Sequence, residues 1–179
     1  MKKDVATHMK LTLAKDFDAV KAGYLDVIAR TPDIGRHARW VYGLHPSDEL
    51  LQAFIASGEM YAYMDGGVLA GLAAIVMHQD QDYEAISWAE SLAGDQVATL
   101  HLFAVCPDYQ GKGVGGNMLE AALEIAKKKE KKVLRLDALK SNLPARRMYE
   151  KAGFSYRGTQ VLFAGNTGWV DFMYYEKMI

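Results

Sequence analysis

The run Val105-Cys106-Pro107-Asp108-Tyr109-Gln110-Gly111-Lys112-Gly113-Val114-Gly115-Gly116 carries the densest chemical signal in the chain. It stands where an apolar strand gives way to a helix. The first N–H groups of a helix lack intrahelical acceptors and carry a partial positive charge. Together they make an anion site suited to phosphate. Gly111, Gly113 and Gly115 would let the backbone approach phosphate oxygens with no Cβ in the way. Lys112 can add charge from its side chain. The plainer reading of the same residues is a tight turn that feeds a helix.

Several glycine loops bind phosphate. Gly111, Gly113 and Gly116 satisfy G-x-G-x-x-G, the dinucleotide fingerprint, but a lone match is weak. That fingerprint also wants an acidic residue ~20 positions on. Asp137, at the end of the next strand, stands at about that spacing, so the count leaves a nicotinamide-dependent oxidoreductase open. A Walker loop needs Gly-Lys-Ser/Thr, and Gly111-Lys112-Gly113 fails it.

A second pattern lies downstream: Asn142-Leu143-Pro144-Ala145-Arg146-Arg147-Met148-Tyr149-Glu150-Lys151-Ala152-Gly153-Phe154. Gln110–Gly115 reads Q-x-x-G-x-G and resembles the pyrophosphate loop of the GNAT superfamily of N-acetyltransferases. The downstream run is similar to that superfamily's N-x-x-A-x-x-x-Y-x-x-x-G-F pattern at every fixed position. The resemblance covers about Gln96 to Phe154 by motif. Residues 1–60, where the family usually shapes its acceptor site, match only in outline.

The resemblance implies acetyl-CoA as co-substrate and a primary amine as acceptor. It assigns the backbone of Phe103 and Val105 to the pantetheine arm. It assigns Gln110, Gly111, Lys112, Gly113, Val114 and Gly115 to the pyrophosphate. Asn142 would hydrogen-bond the pantetheine region, and Ala145 would leave room for it to pass. Asn142 is equally well explained as a helix-start residue before Pro144, and Ala145 as a good helix former. Tyr149 lies on the same helix face as Ala145. In the family this tyrosine often protonates the departing thiolate. A phenol near pKa ~10 and a thiol near ~8.5 are close enough for that transfer. Core packing is the competing reading.

Direct attack by an amine needs a proton acceptor, since a lysine-like amine of pKa ~10.4 is mostly protonated at neutral pH. A strand N–H would stabilise the carbonyl oxygen as charge develops. By alternation His101 shares a strand face with Phe103 and Val105, and an imidazole suits a base. A structural histidine fits the position as well. Glu84 and Glu90, in an acidic stretch with Tyr83 and Trp88, are further candidates for acceptor binding, or simply solvated charges. The whole stretch, Asp80–Glu90, would attract a cationic amine such as a polyamine or a basic peptide end, whereas Arg36, His37 and Arg39 would hold an acidic acceptor. Cys106 has no histidine partner in the sequence and reads as a small buried residue rather than a nucleophile. His8, His37, His45, His78 and His101 show no metal-ligand spacing, so no metal is expected.

The elements that must position these residues follow from hydrophobic period and punctuation. Met9–Leu13 reads as a strand and Asp16–Arg30 as a helix; Arg36–Leu44 has no clear pattern. A helix capped by Ser47 and closed by Gly58 follows. Strands Met60–Met64 and Val68–Met77 flank the turn Asp65-Gly66-Gly67. Gln79–Gly94 reads as loop. Gln96–Val105 is a strand, Val114 to about Lys129 a helix, Val133–Ala138 a strand and Pro144–Ala152 a helix. Phe154–Ala164 and Trp169–Met178 form a hairpin. The expected fold is α/β: a mixed, mostly antiparallel twisted sheet of six to seven strands, with helices on both faces.

A chain of 179 residues supports one domain, expected to span 1–179. The net charge of -1 gives no field for nucleic acid or an anionic membrane. Lys127–Lys132 reads as a solvated helix end. A single cysteine and a first segment, MKKDVATHMK, without an apolar run point to a cytoplasmic protein with no transmembrane segment. The aromatic Trp169, Phe172, Tyr174 and Tyr175 fit either a homodimer contact or the core. A non-catalytic acyl-CoA sensor is the alternative to an enzyme.

Overall fold

The computed structural model describes residues 9–179; His8 and the start of the N-terminal segment lie outside it. The elements run β1 (Met9–Leu13), α1 (Phe17–Arg30), α2 (Ile34–His37), α3 (Asp48–Ala56), β2 (Met60–Asp65), β3 (Val68–Val76), β4 (Val97–Val105), α4 (Val114–Lys128), β5 (Val133–Leu139), α5 (Leu143–Lys151), β6 (Ser155–Ala164) and β7 (Gly168–Met178). Side chains start the long helices. Asp16 accepts from Ala19 N at the head of α1, and Ser47 accepts from Leu50 N at the head of α3.

All seven strands join one sheet in the order β1-β2-β3-β4-β5-β7-β6. Only β4 and β5 are parallel; every other pair is antiparallel. Helix α4 makes the crossover that a parallel pair requires. Helices cover both faces, so the central strands are apolar on both sides. Along β3, Leu72 and Ala74 pack on one face with Tyr24, Val27 and Leu51 of α1 and α3. Ala73 and Ile75 pack on the other with Leu119, Ala122 and Ala126 of α4.

Two irregularities in β4 shape the centre of the sheet. Ala74 pairs with His101 and Leu72 with Ala104, so Leu102 and Phe103 together face the single residue Ala73. This is a β-bulge, and Leu102 takes φ +50 there. The buried Tyr24 hydroxyl donates to the Leu102 carbonyl at 2.7 Å and holds the bulge from α1. The parallel ladder of β4 and β5 runs from Val97–Val133 to Leu100–Leu136 and stops, although both strands continue.

The segments without a sequence pattern are structured by tertiary contacts. Arg36–Leu44 holds the end of α2 and a loop bridged between Val41 and His45. Within Gln79–Gly94, a 3-10 helix over Gln81–Ala85 buries Tyr83. A buried ion pair anchors the rest of that loop. Arg135 on β5 bonds Glu176 on β7 at 3.2 Å, the Gln79 side chain, and the Glu90 carbonyl. Its guanidinium lies 4.1 Å from the Trp88 ring centre.

Candidate active site

At the glycine turn, Gly111 and Gly113 have φ +71 and +81, a left-handed backbone that other residues adopt only at a cost. A Cβ on either would meet nothing within 4 Å, so the space above the turn is open. Gly113 caps α4 with no side-chain hydrogen bond, and the first intrahelical bond returning to it comes from Asn117 N. The N–H groups of Val114, Gly115 and Gly116 therefore face the opening without partners inside the helix. Gly115 is there for a different reason: a Cβ would run into Met148 of α5, so the glycine lets α4 and α5 close together.

The side chains of two residues expected at the phosphate are engaged by other groups, although Gln110 still lines the cleft. The Lys112 ammonium donates back to the Asp108 carbonyl at 2.7 Å and does not line the cleft. The Gln110 amide is held by Thr31 Oγ1 at 2.9 Å and by the Val105 carbonyl at 3.0 Å. Gln110 thus ties the turn to the end of α1, and the Val105 carbonyl is already engaged.

A cleft of about 950 Å³ leads from this turn along the gap where β4 leaves β5. Phe103, Val105, Asn142, Ala145 and Tyr149 all line it. Asn142 Oδ1 accepts from Ala145 N at 3.3 Å and caps α5, while its amide nitrogen has no partner among the described residues and the residue lines the cleft.

A second cavity of about 500 Å³ lies behind the first. Ala38, Trp40, Phe103, Asn142 and Tyr149 line both, so the two meet at these side chains. Tyr149 is 5 % exposed, and its hydroxyl has no hydrogen-bond partner among the described residues. Its ring packs edge-on against Phe103 and Tyr175. Burial, then the charge of Asp137 and then Tyr175, push its phenol above the ordinary value. That widens the gap to a thiol beyond the near match expected from unperturbed values. The group stays a hydrogen-bond donor at every working pH.

The second cavity is polar and acidic. Asp137, from the free end of β5, accepts from the Tyr83 hydroxyl at 2.6 Å. Burial, the largest influence, raises its pKa against the opposing pull of His101 and the Tyr83 bond. His101 lines the cavity and pairs through Nε2 with Asp80 at 2.8 Å. Nε2 also meets Thr99 Oγ1, whose own proton goes to the His78 carbonyl. Nε2 therefore carries the proton, and Nδ1 is left as the open acceptor. Burial is the largest influence on His101 and pushes it down; the Asp80 hydrogen bond and the charges of Asp137, Asp80 and Glu59 outweigh it, and its pKa is raised. His45, also on the wall, is lowered, chiefly by burial.

Alternation brings His101, Phe103 and Val105 to the two cavities in turn, although the bulge interrupts the strand. Glu84 and Glu90 line neither cavity, and neither do Arg36 and Arg39. Arg39 instead donates to the Thr167 carbonyl, and Asn166 donates to the Arg39 carbonyl, which clasps the β6–β7 turn over the cavity. His37 lines the larger cleft with Nδ1 at 3.1 Å from the Ser141 carbonyl. Cys106 is buried and its thiol is pushed up to about 11, chiefly by burial, which makes it a poor nucleophile. Asp137 serves the acidic cavity, not a dinucleotide ribose beside the glycine turn. Tyr174 and Tyr175 are buried, so core packing accounts for them, whereas Trp169 and Phe163 of the same hairpin are strongly exposed. Among the described residues no helix is long and apolar enough to cross a membrane.

Asp80 and Tyr83 come from the acidic stretch expected to attract a cationic amine, whereas Trp40 and the cavity roles of Asp137 and Tyr174 are what sequence reasoning missed at this site. The detectable signal was Asp137, a lone carboxylate in the otherwise apolar end of β5.

The same architecture recurs in solved structures. A GNAT-family acetyltransferase from Streptococcus agalactiae superimposes with a TM-score of 0.72 at 18% identity, over 96% of this chain and 95% of that one. A Bacillus subtilis acetyltransferase solved in complex with CoA gives 0.63 at 16% identity, over 96% and 98%. In sequence, an uncharacterized N-acetyltransferase of Methanocaldococcus jannaschii is 31% identical over 68 residues, 38% of this chain. The chain spans 30% to 55% of the length of the curated relatives it matches. The acetyltransferase (GNAT) family model matches residues 31–154, from the end of α1 through the glycine turn to Phe154. That span holds both motifs and most of the walls of both cavities, and the chain belongs to the GNAT acetyltransferase family.

Proposed function

We propose that the protein transfers an acetyl group from acetyl-CoA to a primary amine by direct attack, without an acyl-enzyme. One observation carries the reading: a cleft headed by unpaired helix N–H groups meets an acidic cavity at the unpartnered hydroxyl of Tyr149. The residues fit the co-substrate. The open space over Gly111 and Gly113 suits a pyrophosphate, and the gap between β4 and β5 suits a pantetheine arm. Bound there, acetyl-CoA supplies an activated thioester.

The chain's own groups do the rest. The N–H groups of Val114, Gly115 and Gly116 hold the diphosphate charge. The Asn142 amide donates toward the arm, and Ala145 leaves room for it. The edge of β4 beyond Leu100, freed from β5, offers N–H groups to the acyl oxygen. His101 Nδ1 takes the proton of the incoming amine, and Asp80 steadies the imidazolium that forms. Tyr149 donates to the departing sulfur. Its raised pKa makes it a strong-holding donor rather than a strong acid, so its contribution is a hydrogen bond that tightens as the thiolate develops.

The test is release of free CoA from acetyl-CoA across a panel of primary amines, alongside acetyl-CoA binding. Amine-dependent release supports the proposal. Tight binding with no release for any amine would favour a sensor, and absence of binding would end both readings.

A further inference from the structure

We infer that the acceptor cavity selects an amine bearing a second positive charge, a diamine or polyamine, over a monoamine or an amino acid. This rests on the acetyl-transfer reading and names the substrate class of that site.

The lining carries Asp80, Asp82 and Asp137, and no lysine or arginine among the described residues. These carboxylates sit at different depths. Asp137 is at the free end of β5, Asp80 is half-buried beside His101, and Asp82 is exposed at the rim. Asp137 has one oxygen occupied by the Tyr83 hydroxyl and no bond from a basic side chain. A second, independent feature points the same way. Tyr174 is 1 % exposed and lines the cavity, yet its hydroxyl has no protein partner among the described residues. Among the described residues no fully buried side-chain polar atom lacks a partner, so this hydroxyl opens on the cavity space.

An ammonium has donors only, and these groups supply what it needs: carboxylate oxygens, a phenol oxygen and aromatic faces. The reacting nitrogen must become neutral at the junction with Tyr149 and His101. The carboxylates therefore hold a charge elsewhere on the same molecule. A carboxylate-bearing acceptor would enter a cavity of its own sign with no lysine or arginine to meet it and with His101 already paired to Asp80, which is unfavourable away from water. Arg36 and Arg39, the residues that would favour an acidic acceptor, lie outside the cavity.

The experiment compares three acceptors that differ at the end remote from the reacting amine: putrescine, butylamine and γ-aminobutyrate. CoA release gives kcat/KM for each, and a thermal shift with acetyl-CoA is run in parallel. Putrescine is expected to exceed butylamine by about tenfold or more, with γ-aminobutyrate lowest, since a site built around polar partners rejects analogues that lack them. Tyr174→Phe keeps the ring and removes only the hydroxyl; Asp82→Asn removes an exposed charge. Each should lower the putrescine-to-butylamine ratio by about threefold or more.

Butylamine within about twofold of putrescine, or a preference for γ-aminobutyrate, overturns the inference and leaves acetyl transfer standing. A ratio unmoved in both variants also overturns it, as does acetyl-CoA binding without turnover of putrescine. If acetyl-CoA neither binds nor is consumed, the acetyl-transfer reading falls and takes this inference with it.

Discussion

Replacing Gly113 separates the backbone role of the glycine turn from its electrostatic role. Gly113 sits at φ +81 at the head of α4, with nothing within 4 Å of a Cβ. Gly113→Ala should therefore cost only the left-handed backbone penalty of about 1–2 kcal/mol. For a chain of this size that lowers Tm by roughly 2–8 °C. Gly113→Glu carries the same backbone cost. Its carboxylate sits at a helix N-terminus, where negative charge is favourable by about 0.3–1 kcal/mol. The Glu variant should therefore fold at least as well as the Ala variant. The two should part on ligand. Acetyl-CoA at about 100 times its Kd adds ~2.7 kcal/mol to wild type, or roughly 5–11 °C in Tm. Gly113→Ala should keep most of that shift, because the N–H groups and the space above them remain. Gly113→Glu should lose it, because its carboxylate occupies the anion site and repels the diphosphate. The assay is a thermal melt of the three proteins with and without acetyl-CoA, with CoA as a second ligand. A full shift in Gly113→Glu would refute the placement of the diphosphate at this turn. An equal loss in both variants would refute the argument that strain and charge are separable here.

Other outcomes rest on the same geometry. Tyr149→Phe keeps the ring contacts with Phe103 and Tyr175, so Tm should stay near wild type while kcat falls by about 10- to 100-fold with the acetyl-CoA KM little changed; steady-state kinetics checks the split. His101 must be neutral to accept a proton, and its pKa is raised, so kcat/KM should rise with pH to a midpoint above the ordinary ~6.5. Asp80→Asn removes the bond that opposes burial, and should move that midpoint to lower pH in a pH–rate profile. Glu176→Ala strips the buried Arg135 of its partner and also loses the bonds from Arg157 and Ala89 N, so urea denaturation should show a loss of about 3–5 kcal/mol.

Much of the fold was legible because local signals and global packing agree. The strand Met9–Leu13 was read at its observed bounds, and most other elements lie within a residue or two of theirs. The shifts have local causes: Asp16 is a cap rather than a helical residue, the Asn142 cap starts α5 at Leu143, one residue before Pro144, and a 3-10 turn over Gly94–Gln96 delays the start of β4. The glycine turn and the Asn142–Phe154 pattern pointed to the cleft because each is a contiguous segment whose chemistry depends on its own backbone. Less was legible where a side chain chooses among partners. Lys112 was expected to face the phosphate, but it finds the Asp108 carbonyl four residues back. Gln110 lines the cleft as expected, yet its amide bonds to Thr31 at the end of another element, a partner the local sequence does not reveal.

The sequence by itself determined the family, the glycine turn at the head of α4, and the placing of Ala145 and Tyr149 on one helix behind its cap, Asn142. These depend on helix geometry, on glycine's freedom at positive φ and on residue order, all of which are local. Tertiary structure alone decided the acidic cavity. Asp80 and Tyr83 come from a loop without periodicity, Asp137 from a strand end, Tyr174 from the last strand and Trp40 from a segment with no pattern. The β5–β7 pairing places Asp137 opposite Tyr174, and the buried Arg135–Glu176 pair draws the loop back over the sheet. Charge at this site comes from residues far apart in the chain, and only long-range strand pairing and burial bring their electrostatics together.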